Sequence, residues 1–469
     1  MSSLQALQDK FVCPTMFSLR LTVEEGSLDS VIEATASAVT KGGAKLKSLS
    51  LAEVLDDGNL VYELVMLSSD ECLKKVTQGL AGIVGMKLTT VLDMSFESHR
   101  GGSCEMRSRR EIKSNTDLRV VYTPGVARVC KAIESQPELA KEFTNVPNKV
   151  AICTNGTAIL GLGDIGALAG LPVMEGKSAI FWEFARISAE PVLIDTHDAD
   201  EFINVMEKIA CGFGAVQVED VAAPACFKIT RELDRRLGIP VMHDDQHGTA
   251  TVVLAALYTA LRKSGKKIGD VSCVMSGAGA AGTAIADLLN LAGIADVVVL
   301  DRKGAICRGR ESLNPEKQAL AERTNRQNQK GDLAEIMRGK DLFIGVSQAN
   351  LVSKDMVRSM SKDPIIMALA NPVGEISVQD AYEAGASVAT DGRVVNNALA
   401  YPGMFRGALD CQATMITMEM VMAAAKALAD KVKGDDLMPE MMDPSVHRSV
   451  AQAMIDSAGT GTPLIAYDV

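Results

Sequence analysis

The residues with the clearest chemistry are four acids in two pairs. Glu219-Asp220 is one pair, and Asp244-Asp245 is the other, inside His243-Asp244-Asp245-Gln246-His247-Gly248-Thr249. Each pair stands where a short apolar run ends, at 216–218 and at 239–242, and both runs read as brief buried strands. Acids at the C-terminal ends of such strands point into the crevice where α/β proteins bind ligands. Two buried acid pairs repel each other unless a cation neutralises them, so oxygen coordination of a hard divalent ion is the natural reading. Capping of the helical run 250–262 is the bland alternative at this point. A lysine adds a second kind of group. Glu175-Gly176-Lys177 precedes the apolar run 179–184, where Lys177 is either a buried base of lowered pKa or a side chain snorkelling to solvent.

A glycine turn supplies a third element. Residues 271–276 form a strand, Gly277-Ala278-Gly279-Ala280-Ala281-Gly282 follows, and 283–292 is helical. Residues 295–300 form a second strand, which ends at Asp301. Strand, Gly-x-Gly-x-x-Gly, helix, strand, acid is the dinucleotide-binding unit. The first glycine makes the turn, the second lets backbone approach a pyrophosphate, and the third packs helix on strand. The helix N-terminus attracts the anion. Asp301 accepts from ribose hydroxyls and so favours NAD, although Arg302 and Lys303 could instead embrace the 2′-phosphate of NADP. An earlier turn, Gly161-Leu162-Gly163-Asp164-Ile165-Gly166, matches the glycine spacing but lacks the downstream acid, so close backbone packing fits it better.

Several elements must position these groups. Further strands at 341–346, 365–369, 387–389 and 394–395 end near Ser347, Asn371 and Asn397. Asparagines there can bind a carboxylate, or simply serve as turn residues. Tyr122 stands just before the turn Pro124-Gly125, where an ordinary packed tyrosine is the plain reading. Residues 413–432 read as nearly continuous helix with core methionines. Ahead of all this, 16–22, 28–40, 45–55, 58–67, 69–80 and 85–96 follow a β-α-β-β-α-β order, with a turn at Asp56-Asp57-Gly58-Asn59. The segment holds no cluster of catalytic residue types. It resembles an ACT domain, on topology and Gly26, and that resemblance implies a regulatory module that pairs with another copy and binds a small effector. Residues 100–113, rich in Arg and Gly, read as an exposed connector.

Bulk properties exclude some classes. With 469 residues, the length suggests about three domains. A net charge of −11 leaves no basic stripe for nucleic acid or an anionic membrane. Ten cysteines without Cys-x-x-Cys spacing fit reduced, packed thiols in a reducing compartment. The polar start of the chain and the lack of a long apolar run lead us to expect a soluble cytoplasmic protein.

Taken together, residues 99–469 resemble the malic enzymes. The resemblance rests on Tyr122-Thr123-Pro124-Gly125-Val126, the Gly161 to Gly166 turn with Glu175-Gly176-Lys177, Glu219-Asp220, the His243 to Thr249 motif and the Gly277 to Gly282 turn. Ala370-Asn371-Pro372 and Asn396-Asn397 complete it. It implies oxidative decarboxylation of L-malate to pyruvate and CO2 with NAD or NADP and Mg2+ or Mn2+. Glu219, Asp220 and Asp245 would bind the metal and Asp244 would support the base. Lys177 would be the general base and Tyr122 the general acid. Asn371 and Asn397 would hold the substrate, and Ser347 and Asn371 would line the cofactor pocket beside Gly277, Gly279, Ala280, Ala281, Gly282 and Asp301.

The chain also departs from that pattern. Ala158 stands where many members carry a carboxylate-binding Arg, and Arg393 is the candidate to replace it. Ser347-Gln348-Ala349-Asn350 replaces a more usual Ser-Ala-Pro-Gly, and the loop 390–395 is short. The expected fold is α/β, a Rossmann-type domain plus a malic-enzyme N-terminal α/β domain, preceded by the ferredoxin-like α+β unit. The expected divisions are 14–96, 97–245 and 246–469, in a homodimer or higher homo-oligomer. A malolactic enzyme, which makes lactate without net redox change, and a non-catalytic metabolite sensor on the same scaffold are the competing readings.

Overall fold

The computed structural model describes residues 14–24, 28–159 and 162–458. The chain divides after Glu105 into two compact units.

In the first unit, β1 (Thr15–Val23), β2 (Lys45–Val54), β3 (Leu60–Ser68) and β4 (Met86–Asp93) form a sheet in the order β2-β3-β1-β4. Its paired strands are antiparallel. Alternation along β1 turns Phe17, Leu19, Leu21 and Val23 inward. Val39 of the helix Leu28–Lys41, and Val76 and Leu80 of the helix Asp70–Ala81, pack with Phe17, Leu19 and Leu21 into one core. The expected hairpin turn is present: Gly58 takes the left-handed φ of 85° and the Asn59 N–H donates to Asp57 Oδ1 at 3.0 Å. The β-α-β-β-α-β order therefore holds, with one correction. The strand expected over 85–96 stops at Asp93, because the Asp93 carboxylate accepts from Ser95 N and caps the helix Met94–His99. Gly26 lies outside the described residues.

In the second unit, β5 (Lys149–Thr154), β6 (Ser188–Leu193), β7 (Ala215–Val218) and β8 (Val241–His243) form a parallel sheet in the order β6-β5-β7-β8. A second sheet contains β9 (Ser272–Ser276), β10 (Asp296–Asp301), β11 (Gly304–Ala305), β12 (Leu342–Gly345), β13 (Ile365–Ala368) and β14 (Val388–Asp391), in the order β11-β10-β9-β12-β13-β14. All its pairings are parallel except the short β10–β11 hairpin. β7, β12 and β13 are buried at every position, which is why their sequences run apolar without alternation. The helix Thr249–Ser264 is buried along most of its length, and its core continues to Ile152 of β5 on one side and Met275 of β9 on the other.

Three boundaries shift. The strand expected at 239–242 is Val241–His243, since Pro240 precedes it. Val394 and Val395 are not a strand, because β14 already ends at Asp391 and the chain turns there. The helix expected over 413–432 is Met418–Asp430, with Thr417 accepting from Met420 N as its cap.

Asp341, just ahead of β12, ties the sheet to its surroundings. Its Oδ2 accepts from Ser272 N at 3.0 Å and Ser272 Oγ at 2.9 Å, and its Oδ1 accepts from Lys266 Nζ at 2.9 Å and Ser361 Oγ at 2.6 Å. Burial raises the carboxyl pKa, but these bonds outweigh it and bring it down to about 2. A folded-state pKa below the unfolded one gives stability that is complete above about pH 4 and lost as pH falls toward 2. Asp341→Asn should therefore lower unfolding free energy by about 1–3 kcal/mol at neutral pH. Denaturant unfolding across pH should show the gap to the unsubstituted protein closing as pH approaches 2.

Candidate active site

β7 and β8 lie side by side in parallel, so the residues that follow them emerge at one edge. Gln217 and Glu219 share a face, as the period of two requires, and Gln217 Nε2 donates to Glu219 Oε2 at 2.6 Å. Asp220 takes a left-handed φ of 50°, which aspartate tolerates better than most residues. Its carbonyl accepts from Ala158 N at 3.0 Å, which fixes the strand tip against the loop after β5. That loop contains the earlier glycine turn. Gly156, at φ 72°, is packed so tightly that a Cβ there would lie 2.2 Å from the Gly166 carbonyl oxygen, while Gly161 lies outside the described residues.

After β8 the chain makes a π-helical turn, Asp244–Gly248, before the helix Thr249–Ser264. Neither acid caps that helix, whose N-terminus has no side-chain cap bond. Asp244 Oδ2 instead accepts from Lys177 Nζ at 2.6 Å and from Asn397 Nδ2 at 2.7 Å. Asp245 Oδ2 accepts from Asp220 N at 3.2 Å. Lys177 comes from the helix Leu171–Ala185, and its Nζ also lies 3.0 Å from Glu219 Oε1. It is 12% exposed, so it does not snorkel. The Tyr401 ring lies 4.8 Å from the same Nζ, braced edge-on by Phe181.

Charge does not balance in this cluster. Glu219, Asp220, Asp244 and Asp245 face one ammonium. The motif histidines add no positive charge, because burial lowers the pKa of His243 and, with His243 beside it, brings His247 to about 3. Burial pushes Glu219 well above the usual carboxylate range, and Asp244, Asp245 and Asp220 add to the rise against the pull of Lys177. For Lys177, burial favours the neutral amine, but Asp244, Glu219, Tyr401 and Asp245 outweigh it and hold the ammonium. Glu219, Asp220 and Asp245 each present a carboxylate oxygen, all within 4.8 Å of one another. Asp244 Oδ1 is buried with no hydrogen-bond partner among the described residues. This hard-oxygen set, short of positive charge, fits a divalent cation.

The glycine turn after β9 also has the expected form. Gly277 has φ 118°, and a Cβ on Gly282 would meet the Gly277 carbonyl oxygen at 1.9 Å. A Cβ on Gly279 would meet nothing within 4 Å, so open space remains where a ligand must approach. The helix Ala280–Leu291 begins without a side-chain cap, leaving its first N–H groups for an anion. These features fit a dinucleotide phosphate. Asp301 ends β10, but its carboxylate is already held by Arg310 and Lys317.

Other expected residues make no side-chain hydrogen bond to this cluster among the described residues. Tyr122, the C-cap of the helix Asn115–Val121, is 67% exposed, and no side-chain hydrogen bond among the described residues joins it to Lys177. Asn371 is exposed beneath the loop at Gly392, close to both its side-chain polar atoms. Arg393 is exposed and paired with Asp391, so it is not aimed at the cluster. Ser347 Oγ lies 2.8 Å from Ser276 Oγ, and Ser347 N and Ala370 N donate to the buried Glu375 carboxylate at 2.8 and 3.2 Å. Sequence reasoning missed Gln217, Tyr401, Glu375, Arg310 and Lys317. Strand alternation could have found Gln217, two positions before Glu219. Nothing local marks the others.

Two glycines beside the cluster should behave oppositely. A Cβ on Gly248 would lie 2.0 Å from Asp244 Oδ1, whereas one on Gly176 in the lysine helix would meet nothing within 4 Å. Gly248→Ala should cost about 1–3 kcal/mol of unfolding free energy, read by denaturant titration. Gly176→Ala should be neutral, or stabilising by up to about 1 kcal/mol.

Comparison with known proteins shows the family. Residues 102–234 match the family model for the malic enzyme N-terminal domain, and residues 246–395 and 389–456 match that for the malic enzyme NAD-binding domain. The chain is 45% identical over 393 residues to an NAD-dependent malic enzyme of Geobacillus stearothermophilus, covering 82% of each protein. It is 45% identical to a bifunctional malic/malolactic enzyme of Bacillus subtilis, over 78% of this chain and 92% of that one. The crystal structure of an NAD-dependent malic enzyme from Thermotoga maritima superposes with a TM-score of 0.75 at 39% identity, over 77% of this chain and 98% of that one. This chain belongs to the malic enzyme family.

Proposed function

We propose that the protein catalyses NAD(P)-dependent oxidative decarboxylation of L-malate to pyruvate and CO2. The observation that carries this reading is Lys177 Nζ, held 2.6 Å from Asp244 and 3.0 Å from Glu219 beside three carboxylates able to share one cation. In this reading Lys177 accepts the C2 hydroxyl proton as the C2–H leaves as hydride. Asp244, itself oriented by Asn397 Nδ2 at 2.7 Å, holds the resulting ammonium in place. Glu219, Asp220 and Asp245 hold Mg2+ or Mn2+, which would supply Lewis-acid charge at the reacting oxygens and for the enolate that decarboxylation leaves. The turn Gly277, Gly279, Ala280, Ala281 and Gly282, with Asp301, Ser347 and Asn371, holds NAD or NADP, the hydride acceptor. Asn371 and Asn397 bind the substrate. Tyr122 returns the proton to C3 of the enolate.

The bifunctional relative makes a malolactic reaction the second reading, so the deciding assay measures products. Malate, Mn2+ and NAD should give pyruvate and free NADH in equal amounts; lactate without NADH would replace the reading. Lys177→Ala and Tyr122→Phe should each lower the rate by about 10²–10⁴-fold. Lys177→Ala should leave more enolpyruvate ketonisation than Tyr122→Phe, and equal losses in both half-reactions would contradict the separate roles. Tyr401→Phe should remain active, because the ring that faces Lys177 is retained.

Supporting the ACT-like reading of the first unit are its β-α-β-β-α-β order and β2, an edge strand that exposes Leu46, Leu51 and Val54. We assign residues 14–96 to effector binding and to pairing with a second copy, 97–245 to substrate and metal, and 246–469 to cofactor. A protein beginning near Ser98 should keep malate turnover and lose effector response. Unchanged assembly and unchanged response to every effector would remove the regulatory assignment.

A further inference from the structure

The tip of β10 holds a charge arrangement that the glycine motif does not foresee. Asp301 stands next to the glycine turn, since Gly277 N donates to Leu300 O at 2.9 Å. Its carboxylate, 12% exposed, is nearly saturated. Oδ1 accepts from Lys303 N at 2.9 Å, and Oδ2 accepts from Arg310 Nη2 at 2.5 Å and Lys317 Nζ at 2.7 Å. Arg310 is fixed in turn by donating from Nη1 to the Gly304 and Ala305 carbonyls at 2.8 and 3.1 Å. Lys317 sits in the first turn of the helix Pro315–Arg323, where Asn314 caps its N–H at 2.9 Å. Two fixed cations therefore meet one carboxylate, and the local charge is positive before Arg302 and Lys303 are counted.

A lone carboxylate at this position accepts a ribose hydroxyl and repels a 2′-phosphate. Here both acceptor sites of Oδ2 are filled, while Oδ1 keeps one for a hydroxyl. We propose that Arg310 and Lys317 are cofactor-specificity residues: by neutralising Asp301 they let the adenine-ribose end of the site accept NADP as well as NAD. The inference rests on the reading of the Gly277 turn as a dinucleotide site. Arg310 also holds the β10–β11 hairpin, so Lys317, whose Nζ bonds only Asp301 among the described residues, is the cleaner handle.

The test is equilibrium binding of NADH and NADPH to the full chain, followed by nicotinamide fluorescence, with Lys317→Met and Asp301→Asn beside the unsubstituted protein. The unsubstituted protein should bind both. Lys317→Met should raise the ratio Kd(NADPH)/Kd(NADH) by roughly five- to tenfold or more, the lower end being the effect of one unit charge about 4 Å away screened as in bulk water. Asp301→Asn should move the ratio in the opposite direction. A purely structural role would weaken both cofactors together, and that result, or an unchanged ratio in both variants, overturns the proposal. Failure of the unsubstituted protein to bind either cofactor would overturn the dinucleotide reading instead.

Discussion

Four carboxylates converge on one ammonium, and three of them, Glu219, Asp220 and Asp244, are buried where water does little to dilute their repulsion. Each charge is tolerable only because others are near: Lys177 lies within ion-pair distance of Glu219 and Asp244, Asn397 donates to the same Asp244 oxygen, and Gln217 donates to the other oxygen of Glu219. The site still lacks positive charge. A divalent cation joining Glu219, Asp220 and Asp245 would relieve the repulsion. It would also weaken the hold of Glu219 on Lys177, moving the lysine toward the neutral form that a base requires.

The fold exists to bring those groups together from distant parts of the chain. Parallel pairing of β7 and β8 puts Glu219-Asp220 and Asp244-Asp245 at one sheet edge. The helix that delivers Lys177 shares its core with the helix Thr249–Ser264 and with Tyr401, so Lys177, the acid pairs and the Asn397 loop are parts of one packed body. The second sheet presents its glycine turn from the neighbouring strand ends, and Glu375 links the ends of β12 and β13 through Ser347 N and Ala370 N.

Much of this was legible because the chemistry is local in sequence. The acid pairs follow recognisable strands, the glycine turn carries its strand, helix and acid in one stretch, and the β-α-β-β-α-β unit is written in alternation and turn residues. What escaped was set by tertiary contact. Tyr401 looks like any aromatic at a helix start until folding lays its ring against Lys177. Arg310 and Lys317 lie on a surface-rich stretch, and only folding brings them to Asp301, Arg310 across the β10–β11 hairpin and Lys317 from the helix Pro315–Arg323. Val394 and Val395 have strand-like composition, but the chain had already turned at Asp391. The π-helical turn at Asp244–Gly248 leaves no composition signal that separates it from a capped helix start.

The charge deficit is tested most directly by calorimetric titration of Mn2+ into the protein and its Lys177→Met variant. If Lys177 is the internal counter-ion of a metal-binding acid cluster, removing it takes away a competitor, and Lys177→Met should bind one Mn2+ at least as tightly as the unsubstituted protein. Abolished Mn2+ binding in Lys177→Met, or no binding to the unsubstituted protein, would contradict that picture.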